Sequence, residues 1–205
     1  MIVIIDYGVG NLGSIFNMLK KIGVHAKISS NIKDIEQADK IILPGVGAFD
    51  SGMRRLENGG FIEILNKKVM EEKTPILGIC LGMQLMTKSS EEGSLRGLGW
   101  FDAETIKFNF SESKTKIKIP YMGWNYVKVC KPSQLFKDMY AEPKFYLVHS
   151  YYIKCNDEKD VLTQTEYYIN YTSAFEKDNI FGVQFHPEKS HKYGMKLLKN
   201  FSELR

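Results

Sequence analysis

The 205-residue chain is poor in several things. It has 3 cysteines, at 80, 130 and 155, an odd number with no C-x-x-C pair. That excludes a disulfide-stapled scaffold and suits a reducing compartment. Its 4 histidines, at 25, 149, 186 and 191, lack metal-ligand spacing, so no metal is expected. No apolar run reaches the ~20 residues of a membrane span. The opening Met1-Ile2-Val3-Ile4-Ile5-Asp6 has no charged leader and reads as a first strand, so the expected setting is the cytoplasm with no membrane contact. The formal net charge is only +4 and no basic stripe carries interleaved aromatics, which argues against nucleic acid. The length suits one domain over residues 1–205 with a core that needs no staples.

What is present centres on Pro75 to Gln84, PILGICLGMQ. The apolar run Ile76 to Ile79 reads as a buried strand, and Leu81 onward as the start of a helix. Cys80 therefore sits on a strand-to-helix corner, with Gly78 and Gly82 two residues away on each side. This is the spacing of a nucleophile elbow with Cys in place of Ser. At such a corner the sulfur is accessible, the helix N-terminus favours negative charge, and the Leu81 amide can face a developing oxyanion. Taken alone, a free cysteine is more often an inert buried residue. The far end of the chain supplies what a nucleophile needs: IFGVQFHPEKS, a strand-like run ending in His186, Pro187 and Glu188. His186 can act as base and Glu188 as its orienting carboxylate.

Between these ends, strand and helix patterns alternate. Strands are expected near 1–6, 25–28, 40–43 and 76–79, with helices between them, one capped by Asn31. Such alternation implies a mostly parallel sheet with helices on both faces and a ligand site at the carboxyl ends of the strands. Asp6 to Asn11, Gly45 to Gly47 and Cys80 all fall at those ends. Gly45 and Gly47 suit a backbone that must approach a ligand. Residues 101–130, rich in strand formers, read as antiparallel additions to the sheet. Gly8-Val9-Gly10-Asn11-Leu12-Gly13 is formally G-x-G-x-x-G, yet the second strand ends in Ser29-Ser30-Asn31 with no ribose-binding acid. No nucleotide or other cofactor is expected. Glu91 and Glu92 lie in a polar, glycine-rich loop and read as solvated charges.

The elbow GICLGMQ and the terminal QFHPE together resemble the class I (Cys-His-Glu) glutamine amidotransferases. DYGVGN at 6–11, LPGVGAF at 43–49 and PYMGWN at 120–125 narrow the likeness to the glutaminase subunit of imidazole glycerol phosphate synthases, in histidine biosynthesis. The resemblance implies a flavodoxin-like fold and hydrolysis of glutamine to glutamate and ammonia. It makes Cys80, His186 and Glu188 the catalytic residues, and Leu81, Val46 and Gly47 the oxyanion donors. It places the substrate at Gly45, Gly47, Gln84, Ser150 and Tyr151. His149 lies beside that pair, either as a substrate-side residue and rival base or, with no flanking carboxylate, as a histidine satisfied at a strand end.

The same likeness implies a heterodimer with a (β/α)₈ cyclase that receives the ammonia. Val9, Asn11, Met122, Trp124, Tyr146 and Lys189 are the expected interface, with Ser190 beside them. Three departures stand out: Gly13 where the family usually has Arg, Tyr121 where it has His, and Trp100-Phe101 where it has an apolar-Pro-Gly stretch. As these fall in or near the regions that the resemblance turns toward the partner, an alternative keeps the glutaminase and changes the acceptor to a sugar-amidating enzyme of bacterial surface-glycan synthesis. A non-catalytic regulatory subunit is a further rival, against which the intact Cys80, His186 and Glu188 argue.

Overall fold

The computed structural model describes residues 1–111 and 117–204. The first half of the chain runs β1 (Ile2–Ile5), α1 (Leu12–Lys21), β2 (Ala26–Ser29), α2 (Ile32–Glu36), β3 (Lys40–Leu43), α3 (Phe49–Asn58), α4 (Phe61–Asn66), β4 (Ile76–Ile79) and α5 (Leu81–Leu85). Then follow β5 (Ser89–Ser90), β6 (Ala103–Lys107), β7 (Tyr121–Tyr126), β8 (Lys128–Val129), β9 (Lys144–His149), β10 (Tyr151–Cys155), β11 (Val161–Tyr167), β12 (Ile169–Lys177), β13 (Ile180–Val183) and α6 (His191–Glu203).

The main sheet has the order β2-β1-β3-β4-β13-β12-β10-β6-β5, with β11 paired to β12 and β8 to β11. From β2 to β13 every pairing is parallel, and β12 then turns antiparallel to β13. This is the expected α/β architecture. Strands buried on both faces must be apolar throughout rather than alternating, and β1 (IVII) and β4 (ILGI) are fully buried. Their odd and even residues feed two cores. Val3, Ile5, Ile41 and Leu43 pack with α2, α3, α4 and α5 through Ile35, Phe49, Leu56, Leu65 and Leu85. Ile2, Ile4, Ile42 and Leu77 pack with α1 and α6 through Ile15, Leu19, Leu197, Leu198 and Phe201. Asn31 does cap α2, accepting from the Lys33 amide at 2.9 Å.

Residues 101–130 divide. β6 joins the main sheet antiparallel to β10, whereas β7 pairs with β9 in a separate two-stranded ribbon. Alternate residues of β9 are buried, so the ribbon lies with one face on the core instead of extending the sheet. Residues 112–116 of that stretch lie outside the described residues. The long hairpin of β11 and β12 carries no strong periodicity that marks it in the sequence.

The elbow depends on close backbone approach. A Cβ on Gly82 would lie 1.8 Å from the Leu43 carbonyl oxygen, and one on Gly78 would lie 2.8 Å from the Met83 backbone. Because backbone cannot yield cheaply, Gly82→Ala is expected to lower unfolding stability by at least ~1–3 kcal/mol. Urea denaturation measures this; an unchanged midpoint would contradict the close contact of β3 with α5.

Candidate active site

Cys80 leaves β4 at φ 53°, ψ −110°, a region that costs a non-glycine residue about 1–3 kcal/mol. The surroundings enforce it. The Cys80 amide donates to the Val183 carbonyl at 2.8 Å, tying the elbow to β13, and α5 packs down on Gly78 behind it. The turned backbone leaves the Leu81 amide without an acceptor among the described residues.

His186 is brought to Cys80 by strand pairing, across more than a hundred residues of sequence. β13 lies parallel to β4 with Gly182 opposite Gly78 and Val183 opposite Ile79. The chain beyond β13 is bolted to β9: the His186 amide donates to Tyr146 O at 2.9 Å, and Ser190 Oγ donates to His186 O at 2.6 Å while accepting from the Tyr146 amide at 3.0 Å. Ser190 is thus a fully buried internal brace and not a partner contact, because both its hydrogen bonds are spent inside the chain. His186 Nδ1 lies 2.8 Å from Glu188 Oε1, with both side chains almost completely buried. A carboxylate can only accept, so Nδ1 carries the proton and Nε2 is the atom left for a reacting group. Nε2 is buried with no hydrogen-bond partner. Burial disfavours the imidazolium, but the interaction with Cys80 and then that with Glu188 outweigh it and push His186 up to about 10.

The segment after β3 closes the third side. Gly45 is pressed onto the elbow: a Cβ there would meet Tyr7 Oη at 2.6 Å, Leu81 Cβ at 2.9 Å and the Gly82 nitrogen at 3.0 Å. Val46 and Gly47 are exposed, Gly47 at φ +105°, and among the described residues neither amide donates a hydrogen bond. Two residues to which the sequence assigns no part in the site fix this segment. Tyr7 donates from a buried hydroxyl to Pro44 O at 2.6 Å; burial first, then the proximity of Cys80, pushes its ionisation far up. Glu92 Oε2 accepts the Phe49 amide at 2.8 Å and so caps α3, while Glu91 accepts the Lys107 amide at 2.6 Å. Glu91 is exposed as expected, but Glu92 is half-buried and not a freely solvated charge, because the loop folds back across the start of α3. Only the position of Tyr7 inside DYGVGN could have signalled it; nothing in the sequence pairs Glu92 with residue 49.

The remaining predicted residues fall into two groups. Ser150 and Tyr151 follow β9, half-buried, and Glu92 and Glu91 bring negative charge near the Tyr151 hydroxyl. Gln84 is buried and donates from its side-chain amide to Gln184 Oε1 at 3.0 Å, and Gln184 Nε2 reaches Cys80 Sγ at 3.6 Å. His149 lies beneath, with Nδ1 2.7 Å from Tyr151 O and Nε2 3.2 Å from Tyr171 Oη. Both ring nitrogens are engaged, so the side chain offers neither a free base to Cys80 nor a free donor to a substrate. The second group is outside: Met122 and Trp124 are exposed on β7, Trp124 stacks on His191 at 5.4 Å, and the Lys189 ammonium lies 5.4 Å from the Tyr146 ring centroid. Asn11 is exposed, whereas Val9 is half-buried against the core. A cleft of about 690 Å³ at the opposite, amino end of β4 and β13, lined by Lys73, Glu176 and Asn179, contains none of these groups.

A cysteine on a strained strand-to-helix corner, with a His-Glu pair just beyond the adjacent strand of a five-stranded parallel core, is an arrangement with the chemistry for thiol-dependent acyl transfer. The class I glutamine amidotransferase family model matches residues 3–204, and the chain belongs to that family. It is 59% identical over 201 residues, 98% of each chain, to the imidazole glycerol phosphate synthase subunit HisH 2 of Methanococcus maripaludis. It is 48% identical over the full length of both chains to the subunit of the same name in Pseudomonas aeruginosa. Among solved structures, PurLQS of Thermotoga maritima shares the fold at a TM-score of 0.68 and 19% identity, covering 98% of this chain and 96% of that one.

The neutral His149 has a measurable consequence. Burial lowers it to about 4, the Tyr151 carbonyl offsetting part of that shift, whereas an unfolded chain protonates it near 6.5. Unfolding therefore takes up a proton between those values, so stability is present above about 6.5 and lost as pH falls toward 4. The contribution of this one residue is about 3 kcal/mol. Ring ¹⁵N shifts should show a neutral Nδ1–H tautomer at pH 5; titration of His149 near 6.5 would contradict its burial.

Proposed function

We propose that the chain is the glutaminase subunit of an imidazole glycerol phosphate synthase, hydrolysing glutamine and passing the ammonia to a (β/α)₈ cyclase partner in histidine biosynthesis. The observation that carries the chemistry is Cys80 at φ 53° on the β4–α5 elbow, with the His186–Glu188 pair one strand away. Full-length identity to subunits of that synthase supports the pathway.

The steps follow from the positions. Cys80 thiolate attacks the side-chain amide carbon of glutamine, and the oxyanion is held by the amides of Leu81 and of the Val46–Gly47 segment. His186 protonates the departing nitrogen, which leaves as ammonia, and the enzyme holds a γ-glutamyl thioester. His186 then takes a proton from water as the water attacks the thioester carbon, releasing glutamate and the thiolate. Glu188 keeps His186 in the Nδ1–H tautomer throughout. The α-ammonium of glutamine is matched by the carboxylate of Glu92 near Tyr151, and Ser150 and Tyr151 offer polar groups to the amino-acid end. Losing one oxyanion donor typically costs ~10²–10³ in rate. The exposed setting of Val46 and Gly47 therefore makes their alignment the natural place for a partner to govern turnover.

The interface expected on this reading comprises the exposed Asn11, Met122, Trp124 and Lys189 with the half-buried Val9 and Tyr146. Of the three departures from the family, two are interior. Trp100 is buried and donates to Asn66 Oδ1 at 2.6 Å, Phe101 stacks on Phe175 at 3.7 Å, and Tyr121 turns inward against His149 and Tyr167. They alter packing, which leaves Gly13, exposed at the start of α1, as the departure on which the sugar-amidating alternative rests.

The test is the complex. With the cyclase co-purified from the native cells, Cys80→Ala should reduce glutamine-dependent product to background while product made from added ammonia is unchanged. Retained glutaminase activity in that variant would overturn the nucleophile. Recovery of a sugar-amidating enzyme in place of the cyclase would keep the chemistry and overturn the pathway.

A further inference from the structure

The parallel register that sets Val183 beside Ile79 sets the next residue, Gln184, beside Cys80. Gln184 is completely buried, its amide nitrogen donates to Ser173 O at 2.9 Å, and its side chain lies between two others: Oε1 accepts from Gln84 Nε2 at 3.0 Å and Nε2 reaches Cys80 Sγ at 3.6 Å. A fully buried amide is costly to desolvate unless its groups are used. Here the carbonyl is used on Gln84, which leaves the N–H for sulfur. The opposite orientation would aim carbonyl lone pairs at a negatively charged sulfur, so a thiolate itself selects the N–H orientation.

We infer that Gln184 is a positioning residue for the nucleophile: its amide N–H, held in orientation by Gln84, donates to Cys80 Sγ and fixes the thiolate toward the pocket. The inference rests on Cys80 being the nucleophile. Sulfur at the elbow has His186 as its charged neighbour, but His186 must release a proton in each turnover. A neutral donor that never titrates keeps the sulfur oriented while the imidazole cycles. It also gives Gln84 a second task, since moving its side chain toward a bound glutamine would free the Gln184 amide.

The experiment measures the rate at which Cys80 displaces iodide from iodoacetamide as a function of pH, in the full chain, with adducts mapped by mass spectrometry. Gln184→Met keeps side-chain volume and removes the donor; Gln84→Met removes the group that holds it. Both variants should keep the wild-type circular dichroism. Gln184→Met should lower the rate at pH 7 about tenfold and move the profile up by about one pH unit, and Gln84→Met should move it the same way by less. Should Gln184→Met fail to fold, the Gln84→Met profile decides alone. Folded variants with the wild-type profile would overturn the inference. Wild-type protein whose Cys80 does not react at all would instead overturn the nucleophile assignment, so the two failures are distinct.

Discussion

The active end of the molecule depends on one strained residue. Cys80 occupies a backbone conformation that a free chain avoids, and nothing local to CLG compensates the cost of about 1–3 kcal/mol. Tertiary structure holds it. The Val183 carbonyl captures the Cys80 amide, Gly182 and Gly78 sit opposite each other so that Met83 can drop onto both, and Gly82 slides beneath Leu43. Three neighbouring parallel strands, β3, β4 and β13, are therefore each required for the elbow. In return the strain places the sulfur at the carboxyl ends of those strands with the first free amide of α5 beside it.

The elements around the elbow brace one another through few bonds. The segment from Pro44 to Phe49 is gripped at its start by Tyr7, from the loop after β1, and at its end by Glu92, from the loop after β5. Asp50 returns the second grip by accepting from the Ser94 and Leu95 amides at 3.1 Å each. Between these clamps Val46 and Gly47 carry no internal hydrogen bonds among the described residues. A segment fixed at both ends and free in the middle has the mechanical form of an element that a neighbouring molecule can set. His186 is held differently, in a buried cage of Tyr146, Ser190 and Glu188. On the proposed function, adjustable oxyanion donors and a rigid base together would let turnover respond to a partner without altering the proton path.

Much of this was legible in the sequence. The alternation of strands and helices up to Cys80, the elbow and the His-Glu motif follow from apolar runs, glycine spacing and a short motif, all local signals. What could not be read was long-range. Gln184 reads only as the first residue of the QFHPE motif until the register with β4 places it on sulfur. Glu92 looks solvated because its acceptor role needs the amide of Phe49, forty-three residues earlier. Trp100 and Phe101 looked partner-facing as family departures, and only the sheet shows them filling the interior between α4 and β12. His149 kept two readings open at the sequence level, and its two ring hydrogen bonds decide between them by leaving no nitrogen free.

The most direct measurement of the central claim is covalent labelling with a glutamine-analogue chloroketone, mapped by peptide mass spectrometry, with and without excess glutamine. Cys80 is buried while Cys130 is exposed, so simple accessibility favours the wrong residue. The account predicts one adduct per chain, on Cys80, suppressed by glutamine, with Cys130 and Cys155 unmodified. Labelling confined to Cys130, or labelling of Cys80 that glutamine does not suppress, would contradict it.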